Sequence, residues 1–135
     1  MTIKEYLSQA YRIDQRINSK LDQVQSLRDL TVKATSTLSD TYSSGNGNKQ
    51  KMEGVIVKII DLENEIDEEI DKLVDLKHEI VSLIKQVKNP EYKTLLELRY
   101  LCFRTWEQIA VEMRYDLSWI HRLHKKALIE IKTLH

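Results

Sequence analysis

Glycine, proline, phenylalanine and cysteine are almost missing: 135 residues hold only three, one, one and one of them. A sheet protein needs repeated tight turns, and turns draw on glycine and proline. Their scarcity argues against a β-rich fold and predicts an all-α one. The lone Cys102 cannot close an internal disulfide, which suits a reducing compartment. No apolar run is long enough to span a bilayer, and the N-terminus "MTIKEYLSQAYRIDQRI" lacks the basic lead and apolar block of a secretory signal. A cytoplasmic protein with no membrane partner is expected. An excess of one charge is missing too: Lys plus Arg and Asp plus Glu number 21 each, for a formal net charge of zero. General attraction to nucleic acid or to an anionic surface is thereby excluded, so any nucleic-acid site must be local. There is also no glycine-rich phosphate loop, no nucleophile beside a plausible base and no acid pair, so the chain reads as a non-enzyme without a cofactor.

What the sequence does contain is helical periodicity. Met52, Ile59, Ile66, Leu73, Ile80 and Val87 recur every seven residues, with Val55, Leu62, Leu76 and Leu83 at the second apolar position of each heptad. This is the pattern of a coiled-coil seam. Glu69 occupies that second position in one heptad with Ile70 beside it, so the seam is expected to shift or widen there. In the first block Ile3, Leu7, Ala10, Ile13, Ile17, Leu21, Val24, Leu27, Ala34 and Leu38 form a stripe at three- and four-residue steps. Between the blocks, "TYSSGNGNKQ" (residues 41–50) reads as a loop able to join antiparallel helices. Residues 1–88 are therefore expected to form a long, coiled-coil-like helical hairpin. Ile56, Ile60, Val74, Val81 and Ile84 lie off its main seam, which predicts a homodimer through residues 1–88. The acidic run from Asp61 to Glu79 lacks the glycine and ligand spacing of a calcium loop and reads as a solvated face.

Pro90 suits the first turn of a new helix and opens the second expected domain, residues 89–135, a three-helix unit. Its first helix should run from about Pro90 to about Leu101, with Leu95, Leu98, Leu101 and Cys102 on one face. Cys102 is read there as a small core residue. In "TWEQIAVEMRYDLSWIHRLHKKAL", Thr105 is a good N-cap, and Gln108 three residues later completes a capping box. Trp106, Ile109, Ala110 and Met113 should face the core. Asp116 repeats the capping logic for a helix of about 116–133, which should bury Ile120, Leu123, Ala127, Ile131 and Leu134. Its opposite face carries Ser118, His121, Arg122 and Lys125, with Trp119 at the flank. A short helix, a tight turn and a second helix with a basic outer face is the geometry that enters a DNA major groove.

These residues resemble the helix-turn-helix of region four of bacterial sigma factors, in which a Thr-capped "T-x-E-x-I-A" helix precedes a capped recognition helix ending in "K-K-A-L". With a helical N-terminal half in front, the chain is similar to phage and prophage sigma-like regulators of the ArpU and RinA type. The likeness covers about the last forty residues. It implies a sequence-specific transcription regulator of phage or prophage genes that binds double-stranded DNA, with Ser118, Trp119, His121, Arg122 and Lys125 facing the groove. Arg122 suits a bidentate contact to guanine, while Lys125, Lys126 and Arg104 suit phosphates, and Thr105, the cap beside Arg104, counts among the DNA-binding residues too. The turn "RYD" lacks the usual glycine, so Arg114 or Tyr115 must adopt an uncommon backbone conformation or the turn must differ. His121 and His124 have no companions at zinc spacing and are not read as a metal site. Two rival roles fit the same architecture: a phage DNA-packaging recognition subunit, and an adaptor that contacts host RNA polymerase through the acidic hairpin without touching DNA.

Overall fold

The computed structural model describes the backbone of residues 1–40 and 45–135 and the side chains of residues 1–33 and 49–135. Among the described residues it is all-helical, with five helices: α1 (Ile3–Asp40), α2 (Gly45–Lys85), α3 (Pro90–Tyr100), α4 (Trp106–Met113) and α5 (Leu117–Leu134). Of the loop expected over residues 41–50, residues 41–44 lie outside the described ones, and α2 already begins at Gly45. Glycine's cost of about 1 kcal/mol per helical residue makes this stretch read as loop. Propagation back from the strongly helical run that follows, which gains a hydrogen bond for each residue fixed, overrides that cost. The side chains of Ala34 and Leu38, placed by periodicity on the α1 stripe, lie outside the described residues.

Two compact units divide the chain: residues 15–71, and residues 1–14 together with 72–135. Within the 15–71 unit α1 and α2 run antiparallel, because partners that advance along α1 retreat along α2: Arg16 pairs with Glu69, Lys20 with Glu65, and Arg28 with Glu63. The seam buries Ile17 and Val24 of α1 against Leu62 and Ile66 of α2. Glu69 does not displace it. Its side chain stays in the seam at 12% exposure, held by Arg16 at 3.2 Å and Lys20 at 3.8 Å, while Ile70 is left outside at 42%. Lys20 takes the seam position seven residues before Leu27, and Leu21, expected on the stripe, is exposed instead. A charge on α2 thus selects a charge on α1, and the apolar neighbour beside each is turned outward.

The other unit holds two apolar clusters. In one, Leu7 and Ala10 of α1 meet Ile80, Leu83 and Ile84 of α2, Val87, Leu96 and Tyr100, and Ala127 and Ile131 of α5. Ile84, expected off the seam, is therefore fully covered within the chain, and Val81 is half-buried. The second cluster is the core of the three C-terminal helices: Leu95 of α3, Ile109 of α4, and Ile120 and Leu123 of α5, with Trp106, Ala110, Met113 and Trp119 packed at its margin. Each of α3, α4 and α5 touches the other two.

Besides Leu21, two expected core residues are not in the core. Cys102 is exposed, because α3 ends at Tyr100 and the 3.6-residue period that aligned Cys102 with Leu98 stops there. Phe103 takes its place: with φ of 57° it turns its ring inward, between the ring of Tyr11 at 5.6 Å and the Lys77 ammonium at 4.7 Å. Leu134, at the last turn of α5, is exposed as well, since the buried stripe of that helix ends at Ile131.

Candidate nucleic-acid interface

The geometry of α4 and α5 is set by their ends. Asn89 caps α3 by accepting from the N–H groups of Glu91 and Tyr92, with Pro90 in the first turn. Thr105 caps α4: its hydroxyl accepts from the Gln108 backbone N–H at 3.2 Å, and the Gln108 side-chain Oε1 accepts from the Thr105 backbone N–H at 2.9 Å. These bonds satisfy two of the N–H groups that a helix start leaves unpaired. Asp116 caps α5 by accepting from the Trp119 N–H at 2.8 Å. That bond, with a second from the Ser118 hydroxyl, holds the Asp116 carboxyl below its ordinary pKa.

Between α4 and α5 the chain turns at Arg114, which adopts the left-handed conformation (φ 59°, ψ 41°). An L-residue pays roughly 1–2 kcal/mol for this. In return the Tyr115 N–H reaches back to the Ala110 carbonyl at 3.0 Å and closes α4. The "RYD" turn therefore does without glycine by placing an arginine where glycine is usual. Tyr115 also secures the turn from outside: its hydroxyl donates to Glu91 at 2.9 Å, and its ring meets Trp119 edge-on at 6.3 Å. The carboxylate partner raises the Tyr115 pKa.

Below the exposed face lies a polar core that periodicity alone did not assign. His124 is buried, and its Nε2 lies 2.6 Å from the Tyr100 hydroxyl. Its ring packs on Trp106 at 4.5 Å, and Trp106 carries the Arg99 guanidinium on a face at 4.3 Å from the ring centroid. Burial, aided by the neighbouring cations Lys4 and Arg99, pushes the His124 pKa down to about 4. Burial pushes Tyr100 up to about 12, against the opposing effect of Arg99. Both groups are therefore neutral at pH 7. The signal that marks it is spacing: His124 stands four residues after Ile120 and seven before Ile131.

The candidate residues divide by what they touch. Arg122, Lys125 and His121 are exposed on the outer face of α5, and His121 also rests against Trp106 at 5.2 Å between ring centroids. Ser118 is exposed, but its hydroxyl is engaged by Asp116. Trp119 is half-buried between Tyr115 and the Lys126 ammonium, 5.3 Å from its ring centroid, so it supports the turn and its neighbours more than it projects. Arg104 lies on the other side of α4, within 3.6 Å of Glu112, next to the Thr105 cap. Sequence reasoning passed over Leu117, the first residue of α5, which is 40% exposed on the same side as His121. From Leu117 to Ile129 the helix contains no acidic residue. This places a locally basic helix face on a chain of zero net charge.

No curated protein and no solved structure matches this chain. A family profile does match it, over residues 31–132, which include the end of α1, all of α2, α3 and α4, and α5 as far as Lys132. The chain therefore belongs to the DUF1492 family, described as proteins of unknown function.

Proposed function

We propose that this protein is a sequence-specific DNA-binding transcription regulator of phage or prophage genes, similar to sigma-like regulators of the ArpU and RinA type. In this reading α5 lies in the major groove and the chain acts as a homodimer. The observation that carries it is the pair of capped helices α4 and α5, closed by the left-handed Arg114, with an acid-free outer face on α5 bearing His121, Arg122 and Lys125. Rigid support from the buried core beneath that face suits a helix that must present side chains to base edges. Arg122 is assigned to guanine, and Lys125, Lys126 and Arg104 to phosphates.

Dimerisation follows from the charge balance. One domain that neutralises three or four phosphates would lose about a hundredfold in affinity over a fourfold rise in salt. A chain without net charge has little non-specific attraction in reserve, and joining two domains restores affinity through effective concentration. In the 15–71 unit the run Ile56, Val57 and Ile60 is exposed on a helix whose Val55 and Ile59 already face the seam. A cluster of exposed apolar side chains beside a seam marks a contact surface, and a second copy of the chain is the cover this reading assigns. The test is selection of genomic fragments by the full-length protein at moderate salt, with its molar mass measured by light scattering. Enrichment of paired half-sites by a dimer supports the proposal. A ring of many subunits would favour a packaging role, and no enrichment by a folded protein would overturn DNA binding. Arg122→Ala should abolish preference for the selected site and leave helical content and molar mass unchanged, as read by competition binding and circular dichroism.

A further inference from the structure

Resting on the DNA-binding reading above, we infer that Leu117 is a specificity residue that reads the C5-methyl group of thymine in the major groove. A helix that enters a groove by its N-terminal end brings its first turn deepest, and that turn contacts base edges. The first turn of α5 comprises Leu117, Ser118 and Trp119. Two of these are already committed within the protein. The Ser118 hydroxyl donates to Asp116 at 2.9 Å, and Trp119 is half-buried against Tyr115 and Lys126. Leu117 remains, 40% exposed, and it takes no part in the apolar core formed by Leu95, Ile109, Ile120 and Leu123.

At 100° per residue, Leu117, His121, Lys125, Ser118 and Arg122 lie side by side on one flank of the helix. Leu117 thus borders the basic face at its groove-entering end. An apolar side chain there has no hydrogen bond to offer to guanine, adenine or cytosine and would leave their polar edges desolvated. The thymine methyl is the one apolar group that a base pair presents in the major groove, and contact with it is favourable. The inference is therefore a thymine preference beside the guanine assigned to Arg122.

Deoxyuridine, which differs from thymidine by that methyl alone, supplies the probe. In a duplex carrying the selected site, each thymine is replaced in turn by uracil, and binding is measured for the wild-type chain, Leu117→Ala and Leu117→Met. At one position per half-site, uracil should weaken wild-type binding about fourfold, the value of burying one methyl group. Leu117→Ala should bind thymine and uracil duplexes equally, and Leu117→Met should restore the difference. Alanine and methionine are both good helix formers at this exposed position, so the fold is retained. Equal wild-type binding of thymine and uracil duplexes at every position, or a uracil penalty unchanged in Leu117→Ala, would overturn the inference while DNA recognition stands. If no site can be selected at all, both fail together.

Discussion

The 15–71 unit and the α3–α5 cluster solve the same problem, burial of apolar helix faces, with different numbers of helices. Two antiparallel helices enclose only a strip, and the most deeply buried residues of that unit, Leu62, Ile66, Ile17 and Val24, still keep 4–6% exposure. Three mutually packed helices enclose a volume, where Leu95, Ile109 and Ile120 reach 0%. The strip remains close enough to water for Arg16 and Lys20 to hold a carboxylate within it. In the three-helix region the buried polar pair, Tyr100 and His124, is neutral instead. Ionised groups suit the first setting and neutral hydrogen bonds the second, because the cost of desolvating a charge rises with burial depth.

The largest contrast should come from truncating one isoleucine in each region. Ile120→Ala opens a cavity among three helices and should cost about 4 kcal/mol, near the top of the range for such changes, whereas Ile66→Ala at the edge of a strip should cost about 2. Chemical denaturation of both variants measures this, and equal losses would erase the distinction between strip and volume.

Acid provides the next test. Because the His124 pKa is depressed in the folded chain from its ordinary 6.5 to about 4, the unfolded chain binds the additional proton first as pH falls. Stability from this group is complete above pH 6.5 and is lost as pH drops from 6.5 toward 4, by roughly 3 kcal/mol in all. Denaturation midpoints should fall across that window in the wild-type chain and much less in His124→Gln. The smallest effect is expected in the strip: Lys20→Leu combined with Glu69→Leu should raise stability by about 1 kcal/mol, since apolar replacement of a partly buried ion pair is often neutral or favourable. A loss of several kcal/mol would show that these charges contribute far more than their exposure suggests.

Much of this architecture was legible because its signals are local. Pro90, the Thr105–Gln108 box and the Asp116 cap each act within four residues, and the heptads of α2 need only one chain segment to be read. What escaped depends on partners distant in sequence. Glu69 looked like a defect in the seam because Lys20 and Arg16 are about fifty residues away. Cys102 was assigned to the core by a helical period that stops at Tyr100, and the left-handed Phe103 that follows meets Tyr11 and Lys77, both distant in sequence. At the candidate interface the exposed basic face could be read from periodicity, whereas the engagement of Ser118 by Asp116 and of Trp119 by Tyr115 depends on side-chain rotamers that periodicity does not fix.

The Lys20–Glu69 pair has one more effect, on alignment. A seven-residue repeat of apolar positions is degenerate: either helix could slide along the other by one repeat and find an equivalent row of side chains. Such a slip would set both charges against apolar partners with no compensating bond, which a buried charge tolerates poorly. One polar layer therefore acts as an index mark on an otherwise uniform scale, so that a single alignment of the two long helices is much lower in energy than its neighbours.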